Sequence, residues 1–260
     1  MKLIFIRHGD PDYKHNTVTA KGAREAALLA ERASAWKDIA GVFVSPYGRA
    51  ADTAKPLVET LGLTAETMPW LREFDHHIIY PRTGAEKAAA WDWFPQDFYG
   101  EELLFDRKRW HQLPAFRDGE LEAHYTAVCD GFDGVLARYG YERTARHTPI
   151  YRCEPHLTPA QAATDTHLQP LQADFDSRNL VFVCHLGVMF AIIAHLAGIS
   201  PMQLWQGFFV APTSVTVLGA EERVPGEVVF RVQTLGDIRH LTEHGEPPSA
   251  SGFFGNVSAF

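Results

Sequence analysis

The chain has 260 residues, of which 46% are hydrophobic and 22% charged, and its formal net charge at pH 7 is −8. This composition is typical of a globular protein with one large domain. The acidic balance argues against a general nucleic-acid-binding protein, whose surface is usually basic. It is compatible with a small anionic substrate, because a local arginine cluster can set a pocket's potential against the global sign.

The cysteines and the apolar runs narrow the class of protein further. Cys129, Cys153 and Cys184 are widely spaced and form no C-x-x-C pair, so we expect neither a disulfide framework nor a zinc ribbon. Only four apolar residues separate Lys2 from Arg7, too few for a signal peptide. No run of roughly 18 apolar residues predicts a membrane span. We therefore expect a cytoplasmic protein with neither a membrane nor a nucleic-acid partner.

The chain opens with a short β-favouring run, residues 3–6, that is typical of a strand buried on both faces. The run stops at Arg7 and His8, and Gly9 and Pro11 then turn the chain away. In open α/β sheets, ligands bind at the carboxyl ends of the strands. Arg7 is therefore a candidate anion-binding group, and His8 a candidate nucleophile or base.

A second strand–helix unit follows. Residues 23–36 predict a helix capped by Thr19, and residues 40–44 predict a second buried strand. Arg49 then lies near the start of the next helix, where free backbone N–H groups also favour anions. A third strand is predicted over residues 63–68.

Residues 76–179 differ from the rest of the chain. They are crowded with aromatic residues, prolines and arginines, and only residues 119–139 show clear helical spacing. Residues 141–176 are predicted to be irregular. We interpret 76–179 as a helical or irregular lid inserted into a single domain, residues 1–260, and predict that its aromatic residues and arginines set the size and charge of the substrate. The arginines are Arg107, Arg109, Arg143, Arg146 and Arg152.

The last part of the chain returns to alternating strands and helices. Residues 180–184 predict a buried strand that ends at His185, and a helix follows over residues 188–197. His195, on that helix, is interpreted as a core histidine. Residues 215–218 and 227–232 predict a hairpin or edge pair, and the tail is predicted to be loosely ordered. The fold class expected is a three-layer α/β/α sandwich with a mostly parallel central sheet.

Three strand ends thus carry arginines and histidines, an arrangement suited to phosphoryl transfer. Such a reaction needs rigid cationic donors on the phosphate oxygens and a nucleophile held in line. Two arginines and one histidine can form the clamp while the other histidine attacks. A neutral imidazole is a competent nucleophile near pH 7, so this chemistry calls for no metal ion or other cofactor. Glu73 is a candidate acid for the departing oxygen.

Six short segments, in order along the chain, make the sequence similar to the histidine phosphatase superfamily, also called the phosphoglycerate-mutase-like group. They match its R-H-G, L-T-x-x-G-x-x-Q-A, S-x-x-x-R-A-x-x-T-A, L-x-E, V-x-H-G-G and N-D-x-x-H-L stretches. In this chain they are residues 7–9 (Arg-His-Gly), 18–26 (Val-Thr-Ala-Lys-Gly-Ala-Arg-Glu-Ala), 45–54 (Ser-Pro-Tyr-Gly-Arg-Ala-Ala-Asp-Thr-Ala), 71–74 (Leu-Arg-Glu-Phe), 183–187 (Val-Cys-His-Leu-Gly) and 237–241 (Asp-Ile-Arg-His-Leu).

The resemblance implies a role for each site residue. His8 would be the nucleophile that becomes phosphohistidine, and Glu73 would be the acid and later the base toward water. Arg7, Arg49 and His185 would hold the phosphate. His185 is also counted among the catalytic residues.

The chain departs from the family pattern at two places. Leu186 replaces the first glycine after the second histidine, which is expected to narrow the pocket wall. Lys14 stands where the family often has an Asn, with Asn16 nearby, so the family's phosphate contact is not predicted at this position. Three neighbours compete with Glu73 for the acid role, namely Asp75, His76 and His77.

The reaction expected is metal-independent hydrolysis of a small phosphomonoester. A mutase shares the phosphoenzyme step, but the glycolytic mutases typically follow L-x-E with R-H-Y-G, and here residues 74–77 read Phe-Asp-His-His. A catalytically silent relative that binds phosphorylated ligands is the other alternative. A metal enzyme is disfavoured because no H-x-x-x-H pair has an acidic companion, and Cys184 lacks the arginine loop of a thiol phosphatase. The substrate and the oligomeric state, a homodimer included, stay open.

Overall fold

The computed structural model describes residues 1–80, 82–84, 86–87, 89–116, 120–156 and 175–258. Twelve strands occur in this described part: β1 Lys2–Arg7, β2 Pro11–Asp12, β3 Thr17–Val18, β4 Ile39–Val44, β5 Ala65–Thr67, β6 Ile78–Ile79, β7 Glu86–Lys87, β8 Glu142–Arg143, β9 Tyr151–Arg152, β10 Asn179–Cys184, β11 Val215–Val224 and β12 Glu227–Asp237.

The same described residues form seven α-helices: α1 Ala20–Ala33, α2 Gly48–Leu61, α3 Pro95–Tyr99, α4 Leu121–Arg138, α5 Leu186–Ala197, α6 Pro201–Gly207 and α7 Arg239–Thr242. Four single-turn 3-10 helices accompany them: Pro69–Leu71, Glu102–Phe105, Trp110–Gln112 and Pro114–Phe116. None of the helices in this part of the chain is both long and apolar enough to cross a membrane.

Eight strands form one sheet in the order β5-β4-β10-β1-β11-β12-β9-β8. The first four are parallel, with Phe5 of β1 beside Phe182 of β10. From β1 onward the neighbours are antiparallel. The parallel half places the carboxyl ends of β4, β10 and β1 side by side, so the residues that follow these strands meet at one edge.

Alternate residues of the central strands pack against helices on opposite faces of the sheet. Ile4 and Ile6 lie in a core cluster with residues of α1 and α2, whereas Leu3 and Phe5 lie in a larger cluster with residues of α4 and α5. Fully burying one such side chain stabilises the fold by about 1.5–3 kcal/mol. The predicted three-layer α/β/α fold class is confirmed.

The loop after β1 is held against α1 by close backbone packing. Thr19 caps α1, as predicted, by accepting a hydrogen bond from the Gly22 N–H at 3.1 Å, and its hydroxyl donates to Asp10 at 2.7 Å. A Cβ atom on Gly9 would lie 2.8 Å from the Gly22 carbonyl oxygen. Glycine at both positions is therefore what allows the loop that carries His8 to approach α1.

The predicted lid region is folded onto the domain wherever the structure describes it. Trp110 is fully buried and contacts Trp205 of α6 edge-on, with 5.7 Å between ring centroids. The segment predicted to be irregular contains β8 and β9, which extend the sheet at its edge; strands of two residues are too short to show a period. Residues 81, 85, 88, 117–119 and 157–174 of the predicted lid lie outside the described residues.

The tail, which the sequence predicts to be loosely ordered, has several packed residues in its described part, whereas Phe254 is fully exposed. Ser249 is buried and its hydroxyl donates to Asp10. Phe253 packs on Phe209 with 4.7 Å between ring centroids, and Val257 packs against a small apolar cluster at α7. These contacts join residues distant in sequence, so the local composition of the tail does not reveal them.

Candidate active site

The imidazole of His8 lies at the centre of the site. Its Nδ1–H donates to the Gly9 carbonyl oxygen at 2.8 Å, which leaves Nε2 without a proton in the neutral ring. Arg49 Nε donates to that nitrogen at 3.3 Å. The His185 ring lies 5.0 Å from the His8 ring, centroid to centroid. The structure thus brings together Arg7, His8, Arg49 and His185, as the sequence predicts.

Burial and positive charge keep His8 neutral. The side chain is almost completely enclosed. Burial, followed by the charge of Arg7, lowers the pKa of His8 to about 3. The Nε2 lone pair is therefore available throughout the physiological pH range, as a nitrogen nucleophile requires.

Arg7 is fixed by the backbone of two distant segments. Nη1 donates to the Val210 carbonyl oxygen at 2.8 Å, and Nη2 donates to the Ser251 carbonyl oxygen at 2.7 Å. The N–H on Nε is also buried and has no hydrogen-bond acceptor among the described residues. Arg7 therefore carries a buried, charged donor that a bound anion can use.

Arg49 projects from the first turn of α2. Nη1 donates to Asn16 Oδ1 at 3.1 Å, so Asn16, two positions after Lys14, contacts the phosphate-binding arginine predicted for this site. The guanidinium lies over the ring of Tyr47, 4.8 Å from its centroid. Thr53 links the elements by accepting from the Gly9 N–H and donating to the Arg49 carbonyl oxygen.

His185 follows β10 and is fully buried. Its Nε2 lies 2.6 Å from the Ser45 hydroxyl, whose oxygen accepts from the Tyr47 N–H. The Ser45 hydroxyl can then donate its own proton to Nε2. We therefore assign the proton of the neutral His185 ring to the other nitrogen, Nδ1. Nδ1 is buried without a partner in the described part of the chain. Burial, followed by His8, lowers the pKa of His185 well below its usual value.

Glu73 faces the amino terminus of α5. One carboxyl oxygen accepts from the Phe74 N–H at 2.8 Å and from the Val188 N–H at 3.1 Å. Burial raises the pKa of Glu73 despite these bonds and despite the nearby charges of Arg7 and Arg49. A carboxyl of this kind holds its proton to higher pH than an exposed one, as a general acid must.

The three residues predicted to compete with Glu73 are placed differently. Asp75 is half-exposed and forms an ion pair with Arg72 at 3.5 Å. The His76 ring is stacked on His124, with 3.5 Å between ring centroids, and His77 is exposed. The geometry therefore favours Glu73 for the acid role, which stays a prediction.

A glycine is needed at the second position after His185. A Cβ atom on Gly187 would overlap the ring of Trp91 and lie 2.7 Å from a carboxyl oxygen of Glu73. Trp91 is thus an aromatic residue of the predicted lid that lies beside the site. Leu186 is half-buried and packs against the large core cluster; a narrowing of the pocket by this residue stays a prediction.

The arginines predicted to set the substrate's charge lie elsewhere. Arg107, Arg143 and Arg146 line a separate cavity of about 270 Å³ near the carboxyl end of α5. His185 precedes the amino end of this helix of 12 residues, whose length is about 18 Å. Arg143 is ion-paired with Asp133 at 2.8 Å, and His195 contacts the same carboxylate at 3.0 Å.

Of the other two arginines, one is ion-paired and the other lies at the edge of the sheet. Arg109 pairs with Asp106 at 2.7 Å, and Arg152 lies on the edge strand β9. The prediction that these five arginines determine substrate charge is therefore not supported. Composition alone does not distinguish arginines that pair with acidic residues from arginines that bind a ligand.

Sequence reasoning assigned no role to three residues that orient the site. Ser45 and Thr53 are the fixed Ser and Thr of the S-x-x-x-R-A-x-x-T-A motif in segment 45–54, and this match could have identified them. Ser251, whose carbonyl oxygen holds Arg7, lies in a Gly/Ser/Phe-rich tail that carries no such signal.

A neutral histidine nitrogen, two arginines and an adjacent carboxyl group define a site for phosphoryl transfer. Residues 3–117 match the family described as the histidine phosphatase superfamily (branch 1). Over these residues, less than half of its length, the chain is similar to this superfamily, which supports an enzyme of the phosphatase or mutase type. No curated protein matches the chain by sequence.

Solved structures of similar fold include several phosphatases. The mycobacterial hydrolase 1 is 19% identical with a TM-score of 0.55, over 91% of this chain and 98% of that one. A phosphoserine phosphatase from Entamoeba histolytica is 15% identical with a TM-score of 0.53, over 92% and 98% of the two chains. The mycobacterial glucosyl-3-phosphoglycerate phosphatase is 18% identical with a TM-score of 0.54, over 90% and 98%. Such likenesses establish the fold.

Proposed function

We propose that the chain hydrolyses a small phosphomonoester through a phosphohistidine intermediate on His8, without a metal ion. The main support is that the unprotonated Nε2 of a neutral His8, which accepts from Arg49 Nε, lies in a site with two buried nitrogens, Arg7 Nε and His185 Nδ1, that have no hydrogen-bond partner among the described residues. Buried polar groups are normally satisfied. Unsatisfied donors beside a nucleophile fit the oxygens of a phosphoryl group.

In the first step, His8 Nε2 attacks phosphorus and the bond from phosphorus to the ester oxygen breaks. Arg7, Arg49 and His185 hold the non-bridging oxygens. Glu73 gives its proton to the departing oxygen, so the alcohol leaves neutral. The Nδ1–H bond to the Gly9 carbonyl oxygen keeps the phosphorylated ring in place and offsets the positive charge that it gains.

In the second step, the Glu73 carboxylate takes a proton from a water molecule, and the oxygen of that water attacks the phosphohistidine. The phosphorus–nitrogen bond breaks, inorganic phosphate leaves, and both His8 and Glu73 regain their starting protonation states. The same pair of side chains thus serves both half-reactions.

Hydrolysis and mutase transfer differ only in which oxygen takes the phosphoryl group from His8. Two features favour water as the acceptor. Residues 74–77 lack the R-H-Y-G run typical of the glycolytic mutases, and several relatives of similar fold carry phosphatase names.

Hydrolysis of p-nitrophenyl phosphate in EDTA tests the proposal. We expect turnover by the wild type and a loss of about 10⁴-fold or more in His8→Ala, because the covalent nucleophile is gone. His147→Ala, which alters an exposed histidine beside the separate cavity, is the matched control and is expected to keep full activity. Turnover that survives in His8→Ala contradicts the mechanism.

Two further outcomes identify the alternatives. Transfer of the phosphoryl group to an added hydroxylated acceptor, in place of release as inorganic phosphate, indicates a mutase. No turnover, combined with a phosphate-dependent rise in Tm that Arg7→Ala abolishes, indicates a silent phosphate-binding relative.

A further inference from the structure

A thiol, an imidazole and a carboxylate meet at the edge of the sheet remote from His8. Cys153 directly follows β9, His156 comes three residues later, and Glu222 lies near the end of β11. One potential ligand atom from each residue lies within 4.8 Å of the other two. We propose that Cys153, His156 and Glu222 form a zinc site that fastens the segment after β9 to the β11–β12 hairpin.

The donor set determines the class of metal. Thiolate sulfur is a soft ligand that Mg²⁺ and Ca²⁺ do not use, whereas sulfur, nitrogen and oxygen ligands together are typical of Zn²⁺. The two-residue spacing between Cys153 and His156 lets one short loop supply two ligands. A solvent molecule completes the tetrahedron as the fourth ligand.

The carboxylate is already oriented by the backbone. Glu222 is buried, and one of its oxygens accepts from the Gly226 N–H at 2.8 Å and from the His156 N–H at 3.1 Å. Its other oxygen lies 2.9 Å from His156 Nδ1. Hydrogen bonds that fix a ligating carboxylate in this way are characteristic of metal sites.

The spacing is close to that of a bound ion. Tetrahedral Zn²⁺, with bonds of about 2.0 Å to nitrogen or oxygen and 2.3 Å to sulfur, separates its ligand atoms by about 3.3–3.6 Å. The present limit of 4.8 Å requires a contraction of about 1 Å. Cys153 and His156 lie in a loop that is only partly buried, so this movement needs no change in the sheet. On binding, the thiol proton is released to solvent.

The location predicts a structural role. In β11, Gly219 pairs with Lys2 at the amino end of β1, and Glu222 lies three residues further from the site. The six residues of β1 span about 20 Å, which separates the cluster from His8. Zinc is therefore expected to raise the Tm and to leave phosphoryl transfer unchanged, so this proposal and the proposed function can fail independently.

Titration of the full-length protein with Co²⁺, after removal of metal with EDTA, tests the proposal. We expect a thiolate-to-cobalt charge-transfer band that saturates at one equivalent and disappears when Zn²⁺ is added. The band should be lost in Cys153→Ala and kept in Cys129→Ala, the control at a buried cysteine in the described core. His156→Ala and Glu222→Gln should each weaken cobalt binding by about tenfold or more.

Two results overturn the site. One is the absence of a band in the wild type at equimolar Co²⁺. The other is a band that persists in Cys153→Ala or binds equally well in His156→Ala, which indicates adventitious binding elsewhere. Circular dichroism of each metal-free variant separates loss of a ligand from loss of the fold.

Discussion

Burial shifts the two reacting groups toward the protonation states that the proposed chemistry needs. His8 loses affinity for a proton, and its pKa falls to about 3. Glu73 gains affinity for a proton, and its pKa rises. Desolvation disfavours the charged form of either group, so burial favours both a neutral nucleophile and a protonated acid.

Substitution of Glu73 by Gln tests the acid. For an alkyl phosphomonoester, kcat/KM corrected for the second ionisation of the substrate phosphate, at a pKa of about 6, should be flat above the pKa of His8, about 3. It should fall as pH rises through the raised pKa of Glu73, because only the protonated carboxyl can donate. Glu73→Gln should lower kcat/KM by about 10²–10⁴-fold and remove the alkaline fall. For p-nitrophenyl phosphate the loss should be smaller, because its leaving group needs no proton.

The pH profile of the variant decides between Glu73 and its neighbours. A Gln variant that keeps the alkaline fall with the alkyl substrate would place the acid elsewhere. Asp75→Asn and His76→Gln would then be the next variants to measure.

At the scale of elements, the sequence predicts most of what forms the site. Short apolar runs followed by turn residues predict the buried strands that precede Arg7-His8, Ser45 and His185. The parallel topology then brings the ends of these strands together. The contacts that orient these residues are harder to predict from the sequence, because they depend on tertiary geometry. The bond from Arg7 to Ser251 joins opposite ends of the chain, and no local pattern encodes it.

Gly22 is predicted to be indispensable to the loop after β1. A Cβ atom there would overlap the Asp10 backbone, which cannot move without displacing the loop, so Gly22→Ala should lower stability by about 1–3 kcal/mol. Gly134→Ala on α4 is the matched control, because nothing lies within 4 Å of a Cβ atom at that position. The control should be neutral or raise stability by up to about 1 kcal/mol. Urea unfolding measures both, and equal effects would contradict the packing described.

Asp237 joins β12, α7 and α1. Its carboxylate accepts from the Arg239 N–H at 2.9 Å and from Arg32 Nη2 at 2.8 Å. Burial alone would raise the pKa of Asp237, but the bonds from Arg239 and the charge of Arg32 lower it to about 2. The folded state therefore favours the ionised carboxylate. The stability that its bonds contribute is fully present above the pKa of the unfolded chain, about 4, and is lost as pH falls toward 2.

Asp237→Asn should therefore lower the stability at pH 7 by about 1 kcal/mol, because the carboxylate and its arginine partners are partly exposed and solvent screens the lost ion pairs. It should also flatten the loss of stability between about pH 5 and pH 2. Thermal melts across this range check both effects. A variant whose Tm falls with acid as steeply as that of the wild type would show that Asp237 is not a source of the dependence.

At the scale of the whole molecule, the carboxyl-terminal tail packs against residues that lie around the site. Ser249 reaches the loop after β1, Ser251 holds Arg7, and Phe253 packs on Phe209. The Phe209 ring lies in turn 5.5 Å from the Arg7 guanidinium. The tail thus helps to hold Arg7, which the proposed function assigns to phosphate binding.

Truncation after residue 248 should raise the KM for a phosphomonoester by about tenfold, because Arg7 loses a charge-assisted hydrogen bond that orients it. A smaller change in kcat is expected, since His8 and Glu73 keep their own contacts. Truncation after residue 254, which leaves Ser251 and Phe253 in place, is the matched control. Steady-state kinetics of the two proteins, with Tm as a check on folding, measure the effect, and an unchanged KM would contradict the role given to the tail.

The most direct test of the mechanism is to trap the phosphoenzyme. Quenching in base within one turnover, with a substrate labelled on phosphorus, should leave the label on the peptide that contains His8. The label should be labile in acid and stable in base, as a phosphoramidate bond is, and it should be absent from His8→Ala. Turnover with no label on His8, or with the label on a serine or a cysteine, would contradict the mechanism.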